Sequence, residues 1–235
     1  MNELLLIVSV CLSFGGTVLF FRLFGKSGLF AWIGIAAVFA NVEVTILVNA
    51  FGMEQTLGNT LFASSFLTTD ILSEIYGKKQ ADKGVLVGIF TTTLFIILSF
   101  MWTHYIPAEN DWAFPSVKAL FSNTPRILCA SLIGYAISEI FDVFLYHKWW
   151  DLTEKKTKSH TKMLWFRNNF STLFSQLVNI ILFNFIAFLG VYQFTDLLKI
   201  TGSCYVIYIF TSLLDTPFVY WARKISQKHP ELIQE

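Results

Sequence analysis

Apolar residues run through this chain in long blocks rather than in the short alternations of a soluble fold. The blocks extend from Leu4 to Phe24, Leu29 to Phe51, Leu57 to Tyr76, Val85 to Tyr105, Ile127 to Tyr146, Phe170 to Gly190 and Ile200 to Trp221. Each is close to the ~20 residues that a helix needs to cross a hydrocarbon core of about 30 Å. Seven membrane-spanning helices are predicted. Tyr and Trp gather near block ends, as at Trp102, Tyr105, Trp149, Trp150, Tyr220 and Trp221, where amphipathic rings favour the headgroup level.

Composition agrees with this pattern. Mean hydropathy is +0.58, 54% of the 235 residues are apolar and 14% are charged, against about 25% charged in soluble domains. The expected class is an all-α polytopic membrane protein forming a single integral domain over residues 1–235, with no length left for a separate catalytic head. The first block has only Glu3 as a charge ahead of it. Lacking the basic leader of a signal peptide, it is read as a retained helix.

Basic residues set the orientation. With the N-terminus outside, the inner side collects fourteen of the 17 Lys and Arg residues, including Lys78, Lys79, Lys83, Lys155, Lys156, Lys158 and Lys162, with Arg167 at the inner mouth of the sixth span. Only Lys118, Arg126 and Lys199 remain outside. The positive-inside rule then gives N-out and C-in. The outer connection Ile106–Thr124 carries a short apolar pattern that suits an interfacial helix, and the inner connection Asp151–Lys162 reads as a lysine-rich solvated loop. Net charge is +1, which speaks against a nucleic-acid partner and leaves the lipid bilayer as the surroundings.

Polar residues at membrane depth carry the functional reading. Asp70 and Glu74 are four apart on one face of the third span, with Glu74 the closer to water. Glu139 and Asp142 share a face of the fifth span, Asp215 lies in the seventh, and Asn41 and Glu43 lie in the second. On the sixth span Asn168, Ser171, Thr172, Ser175 and Asn179 fall within about 100° of arc, with Gln176 on the shoulder. A continuous polar stripe in a membrane faces protein or a water-filled cavity. Against six acids at depth the chain offers one comparably placed cation, Arg167. The excess acids need water, polar partners, protons or a donor-rich ligand. This points toward proton coupling.

The block Phe66-Leu67-Thr68-Thr69-Asp70 with Glu74-Ile75-Tyr76-Gly77-Lys78-Lys79, then Ser138-Glu139-Ile140-Phe141-Asp142-Val143, then Arg167 ahead of Ser171-Thr172-Leu173-Phe174-Ser175-Gln176 resembles the queuosine-precursor transporters of the vitamin-uptake-transporter group. The resemblance runs from about Phe39 to the C-terminus. It implies a bacterial inner (plasma) membrane protein with a six-helix core, to which Leu4 to Phe24 is an extra N-terminal helix. It also implies import of queuine or related 7-deazaguanines for tRNA modification. A deazaguanine offers N–H donors beside a carbonyl, so carboxylates can take the donors while an amide or Arg serves the carbonyl. The candidate substrate-binding residues are Asn41, Glu43, Phe66, Asp70, Glu74, Glu139, Asp142, Arg167, Gln176 and Asn179, with Phe66 proposed to stack on the base. A homodimer is left open.

Two other classes are weighed. A substrate-capture subunit energised by a separate ATPase fits the same residues, and the chain itself has no Walker A motif. An intramembrane enzyme is disfavoured. His104, His147, His160 and His229 lie in or beside loops, no HExxH occurs, and Asp70 and Asp215 lack the contexts of an aspartyl protease. Cys11, Cys129 and Cys204 are isolated, so no metal, cofactor or catalytic group is expected.

Overall fold

Gly25 divides the first helix of the protein. The computed structural model describes residues 1–122, 125–159 and 162–233. In it, α1 (Asn2–Glu43) is interrupted at Gly25, whose φ of 56° and ψ of −138° belong to a region that glycine enters freely and side-chain-bearing residues avoid. The halves 2–24 and 26–43 fold back on each other. The Phe20 and Trp32 rings lie 5.2 Å apart, and a Cβ on Gly16 would strike the Trp32 indole. The first two predicted spans are these two halves.

The second half stops short of its predicted end. The block drawn to Phe51 leaves the helix at Glu43 and becomes a hairpin of β1 (Leu47–Ala50) and β2 (Met53–Thr56), paired antiparallel with Ala50 opposite Met53. Phe51 and Gly52 both take positive φ, 53° and 72°, the two-residue turn that matches strand twist. β-Branched Thr45, Ile46 and Val48 ahead of a glycine favour this over a helix; apart from this short hairpin the fold is all-helical, as expected. The hairpin is pinned to the N-terminus: Asn2 Nδ2 donates to Asn49 O at 2.9 Å and the Phe51 amide donates to Glu3 Oε1 at 3.4 Å.

Among the described residues, five helices are long and apolar enough to cross a membrane: α1, α3 (Lys78–Trp102), α5 (Pro125–Thr157), α6 (Leu164–Phe188) and α7 (Phe194–Lys228). Their exposed faces carry residues such as Leu12, Phe90 and Phe210, suited to lipid. By contrast α2 (Gly58–Tyr76) is long enough but more polar, and it is the enclosed helix, packed by α1, α3, α5 and α7. Every residue from Ala63 to Ser73 is buried. Its polar side chains therefore face protein.

The 33-residue α5 would measure about 50 Å at 1.5 Å per residue, well beyond a hydrocarbon core. The segment predicted as an inner loop from Asp151 continues as helix to Thr157, and Lys155 and Lys156 close its last turn, where positive charge complements the helix C-terminus. The predicted interfacial segment forms α4 (Phe114–Ser122), with Phe121 packed against Phe95 and Leu128. A short 3₁₀ turn, Pro230–Ile233, ends the described chain, and Tyr76 Oη donates to Leu232 O at 2.5 Å. Residues 123–124 of one predicted connection and 160–161 of the other, including His160, lie outside the described residues.

Candidate functional site

The polar side chains of α2, α5, α6 and α7 form three layers along the axis of the protein. At the end where α2 finishes and α6 begins, Arg167 and Glu74 form a two-pronged ion pair. Arg167 Nη2 donates to Glu74 Oε1 and Oε2 at 2.7 and 2.6 Å, and Nε donates to Oε2 at 3.1 Å. Tyr146 Oη adds a bond to Oε2 at 2.7 Å, Arg223 stands 3.4 Å from Oε1, and the Trp150 ring centroid lies 4.2 Å from the guanidinium carbon. The Glu74 side chain is only 4% exposed. As expected, Glu74 is the wetter acid of the α2 pair, Asp70 having no exposure at all, and it also holds a charge partner from another helix.

One turn deeper, four carboxyls converge from three helices. Asp70 of α2, Glu139 and Asp142 of α5 and Asp215 of α7 are all essentially buried and close enough to act on one another electrostatically. Each receives a neutral donor. Thr172 Oγ1 donates to Asp70 Oδ2 at 3.1 Å, Thr69 Oγ1 to Glu139 Oε2 at 2.9 Å, Ser175 Oγ to Asp142 Oδ1 at 2.7 Å and Asn168 Nδ2 to Asp215 Oδ1 at 2.7 Å. Three of these donors come from the predicted stripe of α6. No donor group of the chain reaches the remaining oxygens, Asp70 Oδ1, Glu139 Oε1 and Asp142 Oδ2, or either end of the fully buried Gln176 side chain, and the Asp70 and Asp142 carboxyls lie within hydrogen-bonding reach of each other. Burying several carboxyls together without cations is costly unless protons, water or a ligand's donors complete them.

The third layer is a cavity of about 160 Å³ toward the hairpin, lined by Gln55, Asn59, Phe62, Asn179, Phe183, Asn184 and Tyr208 among others. Of the sequence-predicted residues, only Asn179 lines it. Phe66 is completely buried and one turn removed from Phe62, which does line it. Asn41 donates its amide to Ala37 O at 2.7 Å, and Asn41 Oδ1 and Glu43 Oε2 are unpartnered. Neither residue is hydrogen-bonded to the four-acid cluster. Asn59, Phe62 and Tyr208 were missed by the sequence reading because they sit among ordinary helix-forming residues. The one available signal was that Asn59 and Phe62 continue the face of Phe66 and Asp70 toward the other end of α2.

The family described as "Putative vitamin uptake transporter" matches residues 56–222, which takes in α2 through most of α7, including all four buried acids and the Arg167–Glu74 pair. The chain is 36% identical over 210 residues to the "Probable queuosine precursor transporter" of Bacillus subtilis (strain 168), covering 88% of this chain and 89% of that protein. It is 26% identical over 149 residues to the "Queuosine precursor transporter" of Escherichia coli (strain K12), covering 63% and 62%. A "Probable queuosine precursor transporter" of Haemophilus influenzae is 26% identical over 108 residues, covering 43% and 45%. No solved structure gives a significant match. With more than two thirds of its length, including every helix that carries the buried acids, inside the matched region, the chain belongs to the putative vitamin uptake transporter family, a family of membrane transporters and not of enzymes.

Proposed function

We propose that the protein imports queuosine precursors, queuine or a related 7-deazaguanine, across the bacterial plasma membrane for tRNA modification. The observation that carries this reading is the layer of four buried carboxyls completed only by neutral donors, with acceptor oxygens on Asp70, Glu139 and Asp142 that no donor of the chain reaches, beside the unpartnered Gln176. A deazaguanine edge with ring N–H and amino donors supplies what those oxygens lack, and its carbonyl can take the Gln176 amide. The relatives described as queuosine precursor transporters support the same substrate class.

In this proposal the chain crosses the membrane seven times, counting the two halves of α1 and the enclosed α2. The N-terminus and hairpin lie outside and the C-terminus lies inside. The Arg167–Glu74 layer then faces the cytoplasm and the cavity faces out. Asn41 and Glu43 line the outer approach. The base meets the carboxyls of Asp70, Glu139 and Asp142 at mid-depth, with Phe66 packed behind them. Uptake is tested in cells unable to make queuosine, with precursors supplied outside: restored tRNA modification dependent on this chain is expected. No rescue at verified membrane abundance would overturn the reading. Transport by the purified chain in liposomes separates an autonomous carrier from a capture subunit.

A further inference from the structure

At the end opposite the hairpin the protein has a second open space. A cleft of about 460 Å³ lies where α2 finishes, lined by Ser73 and Glu74 of α2, Lys78 of α3, and His147, Trp150 and Asp151 of α5. Lys78 and Asp151 are exposed, whereas Ser73 is fully buried, so the cleft runs inward from solvent. Its volume falls in the range of about 300–1,000 Å³ that small-molecule sites occupy.

The cleft is in helical phase with the acid layer. On α5, Trp150, Tyr146 and Asp142 follow one another at four-residue intervals, and on α2 Glu74 is four residues from Asp70. Each step is about one turn, about 6 Å along the axis, on a shared face. Trp150 lines the cleft, while Asp142 and Asp70 belong to the acid layer. The turn between them is the level at which Tyr146 and Arg167 both donate to Glu74. One layer of side chains therefore separates a solvent-open cleft from the buried carboxyls. The Trp150 ring also packs on that layer, with its centroid 4.2 Å from the Arg167 guanidinium carbon.

We infer that this cleft is the release route of the transported base and that the Glu74–Arg167 pair is its gate, closed in this structure. The inference rests on the transport reading and adds the way out to it, on the cytoplasmic side in the proposed topology. A permanent seal is made as well or better from apolar side chains, because the attraction within a buried ion pair is largely offset by the desolvation of both charges. Beside a solvent-open cleft the same pair has another property. Charges parted there are hydrated again, so closed and open arrangements can lie close in free energy, as a switching element requires. Arg223 of α7 stands 3.4 Å from Glu74 Oε1, with its side chain 16% exposed against none for Arg167. Glu74 thus keeps a cation, the more hydrated of the two, when Arg167 lets go.

Ser171 provides the reporter. It lies one turn beyond Arg167 on α6, is fully buried, and donates its hydroxyl to Arg167 O and Asn168 O at 2.8 and 3.0 Å. The full chain carrying Cys11→Ser, Cys129→Ser, Cys204→Ser and Ser171→Cys is placed in inside-out membrane vesicles and exposed to a charged, impermeant methanethiosulfonate. Labelling of the introduced thiol should be slow with the gate intact and at least fivefold faster with Glu74→Gln. Tyr146→Phe, which removes one hydrogen bond from Glu74 and keeps the ion pair, should accelerate labelling by a smaller factor. It carries the test if Glu74→Gln does not reach the membrane. 7-Deazaguanine supplied from the vesicle interior should also speed labelling, because each passage opens the gate. Rates unchanged by both gate variants, a thiol that reacts in none of them, or import of the base without any acceleration would overturn the release route. In those cases import by the parent leaves the transport reading standing. If the gate variants speed labelling but the base neither enters nor changes the rate, the transport reading falls and the gate stands.

Discussion

Arg167 holds Glu74 through three hydrogen bonds of 2.6, 2.7 and 3.1 Å, in a layer where the Arg167 side chain has no solvent exposure. Removing one member of a buried pair strands the other charge, at a cost of about 3–5 kcal/mol. Glu74→Gln and Arg167→Met should each lower the thermal midpoint of the detergent-solubilised protein by several degrees, and the double variant should recover most of that loss. If Glu74→Gln melts with the parent, the pair has no role in holding α2 to α6.

Gly25 turns the chain between the halves of α1 with φ 56° and ψ −138°, where a Cβ is strained by about 1–3 kcal/mol. Gly25→Ala should reduce thermal stability on that scale, whereas Gly15→Ala, whose added methyl meets nothing within 4 Å, should be neutral or stabilising. Equal melting of the two variants would remove backbone strain as the reason for glycine at this corner.

The proposed topology makes a separate prediction. Reporters fused near Lys155 and at the C-terminus should read as cytoplasmic, and reporters at the N-terminus and near Trp112 should read as external. A reporter at Lys155 found outside would invert the membrane and, with it, the assignment of the Arg167 layer to the inner face.

Legibility in the sequence followed the range of the interactions. The stripe on α6 could be read because a helix period fixes which residues share a face, and Asn168, Thr172 and Ser175 do reach acids on three other helices. The partnership of Glu74 with Arg167 spans 93 residues, and no local spacing encodes it, so depth gives Glu74 as the wetter acid of its pair but not its charge partner. The hairpin at Leu47–Thr56 was hidden for a different reason: its apolar β-branched residues continue a hydrophobic block without a break in composition. Helix α5 outlasted its apolar block because Glu154, Lys155 and Lys156 are good helix formers. An apolar block can end while the helix goes on.

Gln176 separates packing from binding. Its side chain is completely buried and neither end has a hydrogen-bond partner, so Gln176→Leu gives up no internal bond and removes two unsatisfied polar atoms. By the asymmetry of buried hydrogen bonds, the variant should be as stable as the parent or more so. Uptake at limiting precursor should nonetheless fall at least fivefold under the proposed function. A variant equal to the parent in both stability and uptake would reduce Gln176 to a packing residue. Asn179→Leu changes a residue that lines the hairpin-side cavity and should likewise lower uptake at limiting precursor.

Asp70 offers the sharpest test of the acid layer. Thr172 Oγ1 donates to Asp70 Oδ2 at 3.1 Å, no donor of the chain reaches Asp70 Oδ1, the Asp142 carboxyl lies within hydrogen-bonding reach, and that of Asp215 lies near. In Asp70→Asn the carbonyl oxygen can still accept from Thr172, and a carboxyl is removed from a crowd of carboxyls, so folding should be unharmed. The free position, however, changes from an acceptor into an amide donor. Facing the N–H groups of a deazaguanine, a donor meets a donor. A charge-assisted hydrogen bond is worth about 1.5–3 kcal/mol, and the unsatisfied partner adds to the loss, so affinity should fall at least tenfold, each tenfold corresponding to about 1.4 kcal/mol. The measurement is precursor uptake at matched membrane abundance alongside a thermal melt. Uptake within about threefold of the parent would mean that Asp70 does not touch the base, and a collapse in stability alone would mean that its role lies in holding α2 against α6.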